Sequence, residues 1–128
     1  MRGTLFALAV AVLVAVADAQ AHHSFSAYYL ESESMSIEGE VQEFQYRSPH
    51  AILLVRARTP EGRTETYAAE WGNPRRLGSQ GITKDTLKPG DMVVVTGSPG
   101  RTATEYKMHL KGIHRPADGW SWGGGRRR

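Results

Sequence analysis

Two adjacent histidines, His22 and His23, are the residues of this chain whose placement most directly suggests chemistry, because they follow a segment with the features of a secretory leader. Cleavage after Ala21 would make His22 the first residue, with a free α-amine and an imidazole together on it. These nitrogens can close a chelate ring on one ion, and nitrogen-donor sites bind Cu(II) more tightly than other first-row divalent metals. We therefore predict that cleavage of the leader creates a metal site, with copper as the favoured ion.

His50 is the predicted partner of the terminal histidines, because a second imidazole would extend the set of nitrogen donors. It opens the second predicted strand, and the arm that precedes the barrel is long enough to fold back and bring His22 to it. Glu70 or His109 could take its place. His109 and His114 are expected to point outward among lysines and an arginine, whose charge disfavours a cation. The competing interpretation is that such histidines are solvated residues that chelate weakly.

Residues 1–21 are predicted to be a signal peptide. Arg2 gives a positive start, an unbroken apolar run extends from Leu5 to Ala17, and overlapping small-x-small sites end at Ala19 and Ala21. The run is shorter than the roughly 20 residues of a membrane span. We predict an exported protein, periplasmic or secreted, with no membrane span.

The exact cleavage site decides the metal chemistry. A cut after Ala19 would place Gln20-Ala21-His22 at the start, which offers an amine, two amides and an imidazole to a square-planar Cu(II) or Ni(II) ion. The cut after Ala21 is favoured because it leaves a more usual polar gap after the apolar run.

Composition limits the class of partner. The formal net charge is +3, and the three arginines at 126–128 account for that excess. A basic balance confined to one tail is poor evidence for a nucleic-acid surface, and we expect no nucleic-acid partner. The chain has no cysteine, which excludes disulfides, thiol catalysis and cysteine-ligated zinc.

The first predicted strand has an irregularity. Ile37, Gly39 and Val41 alternate with polar residues, which is typical of a strand with one buried face. The apolar parity then shifts to Phe44, and a bulge near Glu43 would explain the shift. Such a bend is what a small barrel requires.

The remaining pattern favours a barrel. Strands are predicted over 51–57 and 64–71, a short helix begins at Asn73-Pro74, and two more strands cover 92–96, ended by Gly97, and 105–113. Three strands, a short helix and two strands is the connectivity of the OB-fold. We predict an all-β protein with one short helix, in the form of a five-stranded, OB-like, partly open barrel whose helix lies between strands 3 and 4. A flat antiparallel sheet covered by the helix is the alternative.

Four regions follow from this pattern. They are the signal peptide (1–21), an N-terminal arm (22–34), the OB-like β-barrel domain (35–115) and a flexible tail rich in Gly, Trp and Arg (116–128).

Three segments together resemble a family of small exported bacterial proteins, the domain-of-unknown-function family 6152. They are His22-His23-Ser24-Phe25, Pro49-His50, and Leu87-Lys88-Pro89-Gly90-Asp91 before a valine-rich strand ending in Gly97. The resemblance covers most of residues 22–115. Family members usually carry Asn-Pro-His where this chain has Ser48-Pro49-His50, which leaves the histidine in place. The family name implies no activity, so the resemblance supports export and the fold.

Two functions of different classes fit these observations. The first is a non-catalytic exported protein that holds copper through His22, His23 and His50, for delivery or sequestration. The alternative is a metal-free OB-type module whose barrel face binds an oligosaccharide, a peptide or a protein partner. A copper redox enzyme ranks last, because the chain is small and shows no extended aromatic substrate surface, and we predict no enzymatic activity.

Overall fold

The computed structural model describes residues 25–124, and six β-strands form its framework. The strands are β1 (Met35–Gln45), β2 (Ile52–Arg58), β3 (Thr64–Glu70), β4 (Met92–Pro99), β5 (Lys107–Arg115) and β6 (Trp120–Gly123). Helix α1 (Pro74–Ser79) lies between β3 and β4, and a 3₁₀ turn (Ala103–Glu105) precedes β5. Residues 25–28 are also helical. No helix among the described residues is long and apolar enough to cross a membrane.

The strands form a single sheet in the order β3-β2-β1-β4-β5-β6. Neighbours in this order pair antiparallel. Strand β3 also pairs with β5 in parallel, through residues 68–70 and 107–109, and this pairing closes β1 to β5 into a barrel. The predicted fold class is therefore confirmed: the chain forms a five-stranded OB-like barrel with its short helix between strands 3 and 4. Strand β6 is an addition at the edge.

Strand β1 is long because it pairs with β4 over its first half and with β2 over its second half. Its register against β2 shifts between Val41 and Glu43, which confirms the predicted bulge. At Gly39 the two strands approach so closely that a Cβ would lie 2.1 Å from the carbonyl oxygen of Arg56. The bulge and the glycine together allow the strong coiling of a small closed barrel.

The core consists of the alternate, inward-facing residues of the barrel strands. Completely buried members are Val41, Leu53, Val55, Ala69, Val93, Val95 and Met108. Helix α1 adds Leu77 to this core. The helix begins as the sequence predicts, since the side chain of Asn73 accepts a hydrogen bond from the backbone N–H of Arg76 and Pro74 occupies the first turn.

Strand β4 extends beyond the predicted end. Gly97 was expected to end the strand, whereas pairing with β5 continues to Pro99 through a register shift after Thr96. The prediction is wrong because the missing side chain of this glycine allows β4 and β5 to approach each other closely. A Cβ on Gly97 would lie 1.9 Å from the carbonyl oxygen of His109.

Part of the predicted flexible tail (116–128) is an ordered strand. Residues Trp120–Gly123 form β6 and pair antiparallel with the end of β5. The ring of Trp122 packs in a T-shaped arrangement on Trp71, with centroids 4.9 Å apart, and its Nε1–H donates to Oε1 of Gln80 at 2.9 Å. The prediction is wrong for this segment because its aromatic side chain finds a partner on the barrel.

We expect Gly39→Ala to lower the free energy of unfolding by about 1–3 kcal/mol, the usual cost of forcing extra volume into a packed site. The new Cβ would overlap the Arg56 backbone, which can move only with the sheet. Chemical denaturation of the two proteins measures the difference. Gly72→Ala is the matched control, because a Cβ there would meet its nearest neighbour, a methyl group of Leu77, at 3.5 Å. Equal stability of the two variants would contradict the tight β1–β2 approach.

Candidate functional site

His50, two residues before the start of β2, is paired with a carboxylate. Its Nδ1 lies 2.8 Å from Oε1 of Glu70, the last residue of β3, and both side chains are about one-third exposed. An ionised carboxylate only accepts hydrogen bonds, so Nδ1 carries the proton of this contact. In the neutral ring, Nε2 is then the nitrogen with a free lone pair.

His109 on β5 is paired in the same way. Its Nδ1 lies 2.8 Å from Oε1 of Glu31, a residue of the arm. The positive neighbour expected from the sequence is present, but the Nζ of Lys111 lies 2.7 Å from Oε2 of the same carboxylate. His109 lies on the outer face of β5, as predicted, since its neighbours Met108 and Leu110 are buried, but its side chain is only 21% exposed because the arm covers it.

The carboxyl group of Glu31 experiences opposing effects. Burial favours its neutral form, whereas hydrogen bonds from Lys111 and His109 favour the anion, and the net result is a pKa below the ordinary value. Glu31 is therefore a carboxylate near neutral pH. This charge fixes the His109 ring orientation and offsets the ammonium group beside it.

Phe25 brings the two imidazoles into one neighbourhood. Its ring stacks on His109 with centroids 3.9 Å apart and an interplanar angle of 9°. The same ring lies 5.0 Å from the His50 centroid. Phe25 follows His23 by only two residues. The predicted ligands His22 and His23 lie outside the described residues, and the described arm leads up to them from this point.

Tyr29 extends the first pair into a chain of hydrogen bonds. Its hydroxyl donates to Oε2 of Glu70 at 2.5 Å, while Oε1 of that carboxylate faces His50. Tyr29 as a whole is only 3% exposed. Burial first, and then the hydrogen bond to the anionic Glu70, raise the pKa of the Tyr29 phenol far above its ordinary value. Tyr29 therefore stays protonated and remains a donor to Glu70.

Barrel closure determines where these groups meet. The parallel register of β3 and β5 sets Glu70 opposite His109. The arm reaches them because Tyr29 forms a bridge to Gly100, and the backbone N–H of Leu30 donates to the carbonyl of Pro99 at 2.8 Å. The extension of β4 beyond Gly97 thus provides the edge on which the arm docks.

Both histidines line one cleft of about 760 Å³, a size typical of small-ligand sites. Its other walls include Phe25, Trp71 and Trp122. Within residues 25–124, no three histidine, cysteine, aspartate or glutamate side chains are grouped closely enough to hold a metal ion. The described residues therefore provide two imidazoles with ordered rings, and a complete metal site would need further donors.

Sequence reasoning identified His50 and considered Glu70 and His109, but it missed Glu31, Phe25 and Tyr29. The contact between Glu31 and His109 joins residues 78 positions apart, so no local pattern reveals it. The aromatic residues of the arm indicate that it packs on the barrel, since large aromatic side chains are usually buried at least in part.

These features define a small OB-like barrel with two carboxylate-paired histidines at the docking site of an N-terminal arm. The chain belongs to the family of unknown function DUF6152, whose match covers residues 9–108. This confirms the family suggested by the histidine and turn motifs. A search of curated proteins found no match.

Two solved structures are similar to this chain. One is the mitochondrial single-stranded DNA binding protein Rim1 from S. cerevisiae, at 16% identity and a TM-score of 0.47, covering 65% of this chain and 93% of that protein. The other is a small single-stranded DNA-binding protein from Streptomyces coelicolor, at 21% identity and a TM-score of 0.42, covering 65% and 90%.

We expect Tyr29→Phe to lower the free energy of unfolding at pH 8 by about 1–3 kcal/mol, because it removes a buried hydrogen bond to a charged group. The pKa of the folded phenol is raised, so above about pH 10 the unfolded chain ionises while the folded chain does not. The contribution of the hydroxyl therefore decreases as pH rises, and wild type and variant converge. Urea denaturation at pH 8 and pH 11 measures this.

Tyr28→Phe is the matched control for loss of a hydroxyl group, since the neighbouring ring is 70% exposed. A gap between wild type and Tyr29→Phe that is as large at pH 11 as at pH 8 would contradict the hydrogen-bonded assignment of Tyr29.

Proposed function

We propose that this protein is an exported, non-catalytic metal-binding protein that holds Cu(II) between its processed amino terminus and the barrel. The ligands are the α-amine and imidazole of His22, with His23 beside them, and Nε2 of His50. His109 joins this set as a fourth histidine. The role is delivery or sequestration of the ion in the periplasm or outside the cell.

One observation carries the proposal: two imidazoles that line one cleft each donate Nδ1–H to a glutamate. Metal-bound histidines almost always direct their second ring nitrogen to a carboxylate or carbonyl, because that bond fixes the tautomer and raises the basicity of the ligating nitrogen. His50 and His109 already have this arrangement. Their Nε2 atoms are the nitrogens that an ion would use.

The charge around the rings also favours a cation. Glu70 and Glu31 each place a carboxylate against an imidazole, and the ammonium group of Lys111 is paired with Glu31. Binding a divalent ion to the imidazoles adds positive charge next to two anions. This supports a site whose affinity depends on the glutamates as well as on the histidines.

The donors missing from the described residues are the ones that processing would supply. Phe25 contacts both imidazole rings, and the segment His22-His23-Ser24 immediately precedes it. An amine and four imidazoles form a nitrogen-rich set. Such a set favours Cu(II) over Zn(II) and Ni(II), since affinities at nitrogen sites peak at copper.

We expect the exported protein to bind Cu(II) with submicromolar affinity and to lose at least tenfold in His22→Ala, in His50→Ala and in His109→Ala. A tenfold change in affinity is about 1.4 kcal/mol. Calorimetric titration measures the affinity of protein recovered after export, and intact mass identifies its first residue. His114→Ala is the matched control, because that side chain is exposed on the same strand as His109.

Loss in His22→Ala alone would reduce the site to the terminus and overturn the role of the barrel. If all four variants bind Cu(II) with the affinity of the unmodified protein, the proposal is overturned altogether. An intact mass that matches a chain starting at Gln20 would mean that the ligand is the three-residue amino-terminal motif Gln20-Ala21-His22 and not the amine and imidazole of His22.

Glu70→Gln is expected to weaken Cu(II) binding by about 10-fold, the lower end of the effect of removing a carboxylate behind a ligating histidine. Glutamine can still accept the Nδ1–H bond, so the loss reports the charge of Glu70. The same titration measures it, with Glu65→Gln on the same strand as control. A decrease of the same size in both variants would show that only overall charge matters.

A further inference from the structure

The cleft beside the histidines also has an aromatic wall, of which the metal proposal uses only Phe25. Phe25 and Trp122 contribute partly exposed rings, and Trp71 and Leu77 form its buried floor. The lining of a small-molecule site is typically apolar and aromatic, with a few polar groups that set orientation. This wall has that composition.

The polar groups of the same wall favour an anion. Arg76 on α1 lines the cleft and is exposed, and its guanidinium forms no ion pair with any described residue. The other cation of the cleft, Lys111, is paired with Glu31. Arg76 therefore contributes an uncompensated positive charge, and its planar donors match the geometry of a carboxylate.

A buried donor at the floor points the same way. Trp71 is only 1% exposed, yet its buried indole Nε1–H has no acceptor among the described residues. Buried polar groups without a partner are uncommon in native proteins. This nitrogen has almost no accessible area, so an acceptor on a ligand would satisfy the N–H once the neighbouring ring of Trp122 shifts.

We propose that this cleft binds a small organic anion, with a carboxylate on a flat apolar body. The carboxylate pairs with Arg76, the apolar body lies between the rings of Phe25 and Trp122, and an oxygen of the ligand approaches the Trp71 N–H. The cleft volume of about 760 Å³ accommodates one such molecule. The proposal goes beyond metal binding and does not depend on it.

The test uses 2-naphthoate as the probe and 2-naphthalenemethanol as its neutral counterpart. Each is titrated into the exported, nitrogen-15-labelled protein in the presence of a metal chelator, and the indole N–H resonances of the three tryptophans are followed. We expect the carboxylate to shift the resonances of Trp71 and Trp122 but not that of Trp120, which lies over Arg115 away from the cleft. Trp71→Phe identifies the first resonance.

Arg76→Gln should weaken binding of 2-naphthoate about tenfold, because it removes one charge-assisted contact. Arg75→Gln is the matched control, since Arg75 is exposed on the same helix but does not line the cleft. Equal weakening in both variants would reduce the effect to overall charge. Equal shifts with the alcohol, or no shift at Trp71 and Trp122, would also overturn the proposal.

The chelator keeps this experiment separate from the copper titration. If copper binding fails and naphthoate binding succeeds, the cleft remains a ligand site on its own. If naphthoate fails and copper succeeds, the anion site is overturned and the metal proposal is unaffected.

Discussion

The parallel pairing of β3 with β5 is the constraint on which the rest of the molecule depends. Without it the five strands would form an open antiparallel sheet, and Glu70 would have no fixed relation to His109. The pairing is possible because β1 coils sharply at Gly39 and at the bulge that follows, which turns the sheet back on itself. Closure of the barrel therefore brings the residues of the candidate site together, as it does the residues of the core.

The sequence predicted what is encoded locally. Alternation and a parity shift located β1 and its bulge, and Asn73-Pro74 located the start of α1. Contacts between distant segments were beyond such reasoning. Gly97 was predicted to end the strand because the sequence does not show that β5 approaches β4 closely at this glycine. In the same way, the sequence of the tail does not show that Trp122 packs on Trp71.

The candidate site shows the same division. His50 was identified because a histidine after a turn at the start of a strand is visible in the sequence, whereas the environment of His109 was misjudged. Its neighbours in sequence are basic, and its neighbours in space include a carboxylate and an aromatic ring from the arm. Electrostatic character at a barrel mouth is set by the segments that converge there, so counting charges along β5 missed the carboxylate that offsets Lys111.

Phe25 also acts as an anchor for the residues in front of it. Since an extended chain spans at most about 3.6 Å per residue, the Cα of residue 22 can lie no farther than roughly 11 Å from the Cα of Phe25, whose ring stacks on His109. A short tether raises the effective concentration of one ligand group near another into the millimolar range or above. In the proposed copper site, affinity would therefore depend on the position at which the predicted leader is cut, and a shift of two residues would change the ligand atoms without altering a contact inside the barrel.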